Sequence, residues 1–152
     1  MDNIDKKILA LLQINADIPV AELSKKVNLS STPCWLRINK LYKQGYIKKK
    51  VAVIDRSKIN LSTVAFVQIR TSQHNMVWSK KFVEGVKEMD EVVEFYRLSG
   101  TTDYLLKVLV PSIDKFDEFY KKLTDKIDLS DVTTSFSMEE LKQTSNLPLN
   151  YI

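Results

Sequence analysis

The chain has 152 residues, 44% hydrophobic and 28% charged, the balance of an ordinary folded protein. Its longest unbroken apolar stretch, Ile8 to Leu12, has five residues, far short of the roughly 20 that a membrane-spanning helix needs. Residues 1–60 hold 12 Lys/Arg against 5 Asp/Glu, and residues 61–152 hold 11 against 14, so a basic first part (+7) precedes a mildly acidic second part (−3), which points to polyanion binding by the first.

The start, Met1-Asp2-Asn3-Ile4-Asp5, is acidic and lacks the basic-then-apolar order of a signal peptide, so a cytoplasmic chain is expected. Ile4, Ile8, Leu11 and Leu12 follow helical spacing, with Asp2 or Asn3 as cap and an end near Asn15. Pro19 opens a short second helix to Val27, and Asn28 tolerates the left-handed conformation that leaves a helix sharply. Ser30 caps a third helix, about Ser31 to Gln44, whose core stripe is Cys34, Ile38 and Leu41; Gly45 stops it. Tyr46 to Ile54 reads as an extended, basic segment. Two short helices, a tight turn, a third helix and a basic strand make a winged helix-turn-helix.

The pattern changes after a polar linker, residues 56–60. Strands are expected at Thr63–Arg70, Glu91–Leu98 and Asp103–Val110, with a last one on the alternation of Val132, Thr134, Phe136 and Met138. Helices are expected over Trp78–Met89 and from the Ser112 cap to about Lys126. The order β-α-β-β-α-β is that of the ferredoxin-like split unit. The expected class is therefore α+β, with a winged helix-turn-helix over 1–55 and a ferredoxin-like domain over 61–152. Ser145 to Ile152 reads as a tail.

The third helix is the candidate DNA reader. Thr32, Leu36, Asn39, Lys40 and Lys43 lie opposite its core stripe, flanked by Trp35 and Arg37. A recognition helix touches base edges through its N-terminal half, which makes Ser31, Thr32, Trp35 and Leu36 the groove residues. Ser30 or Ser31, with the free amides of that turn, suits a phosphate. Lys40, Lys43 and the run Lys48, Lys49 and Lys50 suit backbone charge, although lysines also protect a solvated strand edge. Trp35 can be a contact or a structural residue, and Arg37 can bind DNA or brace the helix against an acidic neighbour.

Enzyme readings are poor. Gly45, Gly85 and Gly100 are isolated, so no Gly-rich phosphate loop exists. His74 sits in a polar stretch with no nucleophile motif to pair with it. One cysteine excludes an internal disulfide framework and, with one histidine, argues against a metal site. Cys34 on the core stripe reads as a small buried hydrophobe.

The stretches Ile4-Asp5-Lys6-Lys7-Ile8-Leu9, Ala21 to Val27, Leu29 to Trp35 and Leu41 to Ile47 resemble the DNA-binding half of the Lrp/AsnC "feast/famine" regulators. Tyr96-Arg97-Leu98-Ser99-Gly100-Thr101-Thr102-Asp103-Tyr104 resembles the signature of their effector-sensing RAM domain. The resemblance covers nearly the whole chain. It implies a transcriptional regulator that binds double-stranded DNA as a homodimer, assembling further to tetramers or octamers, with the strand near Val51–Asp55 helping to pair subunits. It implies no cofactor but an amino-acid effector bound between RAM domains. Gly100, Thr101, Thr102 and Asp103 would line that pocket, with Thr133, Thr134 and Ser135 of a neighbouring subunit. Asp103 would pair with the effector's ammonium group. Pro33-Cys34-Trp35, Phe116 to Lys121 and Leu129 to Phe136 look closest to a cysteine-responsive branch, which makes cysteine the first effector expectation. Leu36 and Asn39 depart from the family, where Lys or Arg is usual. The rival reading is a small ferredoxin-like metabolite-binding protein whose helical arm serves assembly.

Overall fold

The computed structural model describes every residue except 73, 74, 127, 128 and 130; His74 and Ser130 therefore lie outside the described residues. The chain divides into two compact units, Met1–Val53 with Lys142–Ile152, and Ile54–Leu141.

The first unit is built on α1 (Asn3–Ile14), α2 (Val20–Lys26) and α3 (Ser31–Lys43). Each boundary has a local cause. The Asp2 carboxylate accepts the Ile4 and Asp5 N–H groups while Asp5 accepts the Asp2 N–H, a reciprocal capping box. Asn28 at φ 56° ends α2, with the Leu29 N–H donating to the Ser24 carbonyl at 2.9 Å. Gly45 at φ 77° ends α3 in the same way, with Tyr46 N–H on the Leu41 carbonyl at 3.0 Å. Ile8, Leu23, Val27, Cys34 and Leu41 form the core, and Ile38 and Ile47 pack on it.

Two expectations for this unit fail. Residues 46–54 form no strand, because a strand needs a ladder partner and none of the described residues pairs with them. The C-terminal tail is not free. Leu149 packs on the first unit's core, a 3₁₀ turn forms at Leu149–Tyr151, and the Gln13 amide clasps the Leu147 backbone at 2.7 and 3.2 Å. Residues 142–152 thus belong with the first unit and not with the ferredoxin-like one.

The second unit is a four-stranded antiparallel sheet, order β2-β3-β1-β4, from β1 (Thr63–Arg70), β2 (Val92–Arg97), β3 (Tyr104–Val110) and β4 (Asp131–Phe136). Helices α4 (Met76–Lys87) and α5 (Ile113–Lys126) bury its inner face. Ala65, Val67 and Ile69 of β1 meet Phe82 and Val86 of α4 and Phe119 and Leu123 of α5 in one core. Helix α4 starts two residues earlier than expected, at a cap where Asn75 accepts the Trp78 N–H at 2.7 Å. Met138 lies beyond β4 and is fully exposed, so the last strand is shorter than its alternation suggested.

The segments by which the chain enters and leaves this unit are stitched together. Arg56 donates to the Leu61 and Ser62 carbonyls and to the Glu140 carboxylate at 2.9 Å. Among the described residues no helix is long and apolar enough to cross a membrane.

Candidate nucleic-acid interface and effector turn

Helix α3 turns Cys34 and Leu41 into the core and leaves Ser31, Thr32, Trp35, Leu36, Lys40 and Lys43 exposed, with Asn39 half-buried. The α2–α3 turn sets this orientation, because Asn28 reverses the chain and Leu29 seats against the core. Ser30 occupies the cap position without a side-chain bond to the helix, so its hydroxyl remains exposed beside the first-turn amides. Trp35 is 53% and Leu36 56% exposed, which removes core packing as Trp35's role. Lys48, Lys49 and Lys50 are exposed, and among the described residues neither they nor Lys40 and Lys43 are ion-paired. The outer side of α3 therefore offers a hydroxyl-rich start, two apolar side chains and free cations, which suits a phosphate-flanked groove.

Arg37 stands apart from this set. Its Nη1 donates to Asp2 Oδ2 at 2.6 Å and to Asp5 Oδ1 at 2.7 Å. The Asp5 side chain is 6% exposed and that of Asp2 is 52%. The Asp5 N–H, then Arg37, holds the Asp2 carboxyl below its ordinary 3.8, and Asp5 followed by Asp2 raises Arg37. Of the two roles open to Arg37, the structure supplies the brace. A cleft lined by Met1, Asp2, Asp5, Pro33, Leu36, Arg37 and Lys40 runs beside it. Burial pushes the Cys34 thiol up, as for an inert core cysteine.

The second unit brings other residues together at one corner of its sheet. Gly100, at φ 124°, and Thr101 lie exposed in the β2–β3 turn. Asp103 fastens that turn to β1: its N–H donates to the Ile69 carbonyl, and its Oδ2 accepts the Thr71 N–H at 2.8 Å. The Thr102 hydroxyl reaches Gln68 Oε1 at 3.5 Å. Gln68 lies opposite Thr133 of the same chain, and Phe66 opposite Ser135. Thr133 and Ser135 thus share the sheet's outer face with Gln68. Thr134 does not join them, because it pairs with Val67 on the helix-covered face. Arg70 faces Asp131 at 3.8 Å at this corner. Sequence reading missed Gln68 and Arg70. Their place is set by strand register, and the only signal was that both alternate with the buried Val67 and Ile69.

Two family models match the chain: "winged helix-turn-helix DNA-binding" over residues 1–48 and "Lrp/AsnC ligand binding domain" over 64–147. The glutamate uptake regulatory protein of Zymomonas mobilis is 48% identical over 149 residues, covering 98% of this chain and 91% of its own length. The DNA-binding transcriptional activator DecR of Escherichia coli is 45% identical over 150 residues, covering 98% and 99%. Among solved structures, an AsnC family transcriptional regulator from Agrobacterium tumefaciens superposes with a TM-score of 0.97 at 50% identity, over 100% of this chain and 99% of that one. A transcriptional regulator of Neisseria meningitidis in complex with L-Met does so at 0.95 and 32%, over 99% and 98%. With both halves matched in order and relatives aligned end to end, the chain belongs to the Lrp/AsnC family of transcriptional regulators, carrying a winged helix-turn-helix followed by an Lrp/AsnC ligand-binding domain.

Proposed function

We propose that the protein regulates transcription by placing α3 of each subunit of a homodimer in the DNA major groove, and that an amino acid adjusts this binding from the corner around Asp103. The observation that carries the reading is the outer side of α3, with exposed Trp35 and Leu36 and, on and just after the helix, five cations with no ion pair among the described residues. Lys40, Lys43 and Lys48 to Lys50 contact phosphates; Ser31, Thr32, Trp35 and Leu36 meet bases, Leu36 against a thymine methyl. Asn39 lies beside them. One three-helix module is small for tight specific binding, and paired half-sites overcome this.

Pairing is supported by the outer face of the sheet. There Leu105 stands opposite Tyr96 and Phe66 opposite Lys107, which pairs with Glu94, while Leu109 stands opposite Val64; among the described residues Phe66, Leu105 and Leu109 are not part of the helix-covered core. At the sheet corner, Asp103 holds the effector's ammonium, while Thr101, Thr102 and the turn amides, with Arg70 and Thr133, take its carboxylate. The L-Met complex of the Neisseria relative supports an amino acid as the ligand class; cysteine is the first candidate.

A mobility-shift assay on a duplex spanning the chain's own promoter, with an excess of random duplex and with each amino acid in turn, tests the reading. The expected result is a retarded complex that survives the competitor and changes in amount or mobility with one amino acid. A complex removed by random duplex would indicate binding without specificity.

A further inference from the structure

Arg37 is the cation of α3 that the fold has already spent. One nitrogen of its guanidinium serves two carboxylates at the start of α1, Asp2 at its cap and Asp5 in its first turn. Asp5 is the more constrained partner. One of its oxygens takes Arg37, the other takes the Asp2 N–H at 3.1 Å, and the side chain is almost fully buried. Asp2 in turn caps α1 through the Ile4 and Asp5 amides. The capping box and the ion pair are therefore one network, and it reaches α3 midway along its length. Two carboxylates around one guanidinium compensate its charge within the fold, so Arg37 is not a free cation like the exposed lysines of the same face.

The same network touches the reading surface. Leu36 and Lys40, on the outer side of α3, line the cleft that Asp2, Asp5 and Arg37 also line. Helix α3 is also held by its apolar stripe of Cys34, Ile38 and Leu41. Apolar contacts are non-directional and tolerate a small roll of one helix on another, whereas a guanidinium fixed between two carboxylates is directional.

We propose that Arg37 is a positioning residue in DNA recognition: clamped by Asp2 and Asp5, it sets the roll of α3 on α1, so that Leu36, Asn39 and Lys40 meet the groove in one register. The inference rests on the reading of α3 as the DNA reader. Arg37 itself makes no phosphate contact, and its loss costs discrimination between sequences, not electrostatic affinity.

The salt dependence of binding separates the two roles. Each phosphate contact adds roughly 0.9 to the slope of log K against log salt, whatever the sequence. Full-length wild type, Arg37→Gln, Arg37→Lys, Asp2→Asn and Lys48→Gln would be titrated with a promoter duplex and with a random-sequence duplex between about 50 and 200 mM salt. Lys48→Gln is expected to lower the slope on both duplexes and leave their affinity ratio unchanged. Arg37→Gln is expected to keep the slope and reduce the ratio about tenfold. Arg37→Lys, which keeps the charge and loses the planar fork, should also reduce the ratio. Asp2→Asn retains a good cap, so it should fold even if Arg37→Gln does not, and it should lower the ratio several-fold. A slope reduced by Arg37→Gln as by Lys48→Gln would overturn the inference, as would an unchanged ratio in both Arg37→Lys and Asp2→Asn. A flat slope in wild type would instead remove the reading on which it rests, and the inference with it.

Discussion

Asp103 combines two duties in one side chain. Its backbone and Oδ2 fasten the β2–β3 turn to the end of β1, and its charge is the proposed partner of an effector ammonium. Asp103→Asn separates them, since an amide oxygen can still accept the Thr71 N–H but carries no charge. The fold and basal DNA binding should survive, while affinity for the effector falls about a hundredfold, as expected for loss of a partly buried charge partner. Calorimetry with an amino-acid panel on both proteins checks this; equal affinity would remove the Asp103 role. Asp2 offers a second test at this scale. Its carboxyl is held below 3.8, chiefly by the Asp5 N–H and then by Arg37. A depressed folded value means the contribution to stability is complete above 3.8 and is lost as pH falls through the lower folded value. The Ile4 and Asp5 amide resonances should therefore titrate with a midpoint below 3.8; a midpoint at or above it would contradict the cap geometry.

Helix α1 carries more than its own packing. Gln13, near its end, holds both the N–H and the carbonyl of Leu147. Gln13→Ala removes both bonds, so exchange of the Leu147 amide should speed up roughly tenfold, the scale of one net hydrogen bond. Unchanged exchange would show that Leu149 packing alone retains the segment. None of this docking was legible in the sequence, because Gln13 and Leu147 are 134 residues apart and nothing local marks one as the partner of the other. The three helices were legible because their causes are local: the Asp2–Asp5 box, left-handed Asn28 and Gly45, and the stripe of Cys34, Ile38 and Leu41. The expected strand at 46–54 failed for the opposite reason, since its exposed Val51 and Val53 alternate like a strand but find no ladder among the described residues. The family resemblance groups Thr134 with Thr133 and Ser135, whereas a strand sends neighbours to opposite faces.

At the scale of the whole molecule, the proposed function makes DNA affinity and self-association depend on each other. The outer sheet face, with Phe66 on β1 and Leu105 on β3, is the proposed pairing surface. Phe66→Asp places a charge there, which should yield monomers at micromolar concentration in sedimentation and weaken promoter binding with them. An unchanged dimer would move the interface elsewhere. The central claim, that the basic unit with its exposed α3 binds DNA, is tested most directly by the salt dependence of wild-type affinity for a promoter duplex. Lys40, Lys43, Lys48, Lys49 and Lys50 give a dimer ten candidate phosphate contacts. If about six are used, affinity should fall around 10³-fold between about 50 and 200 mM salt. A flat response from a folded protein would contradict the claim.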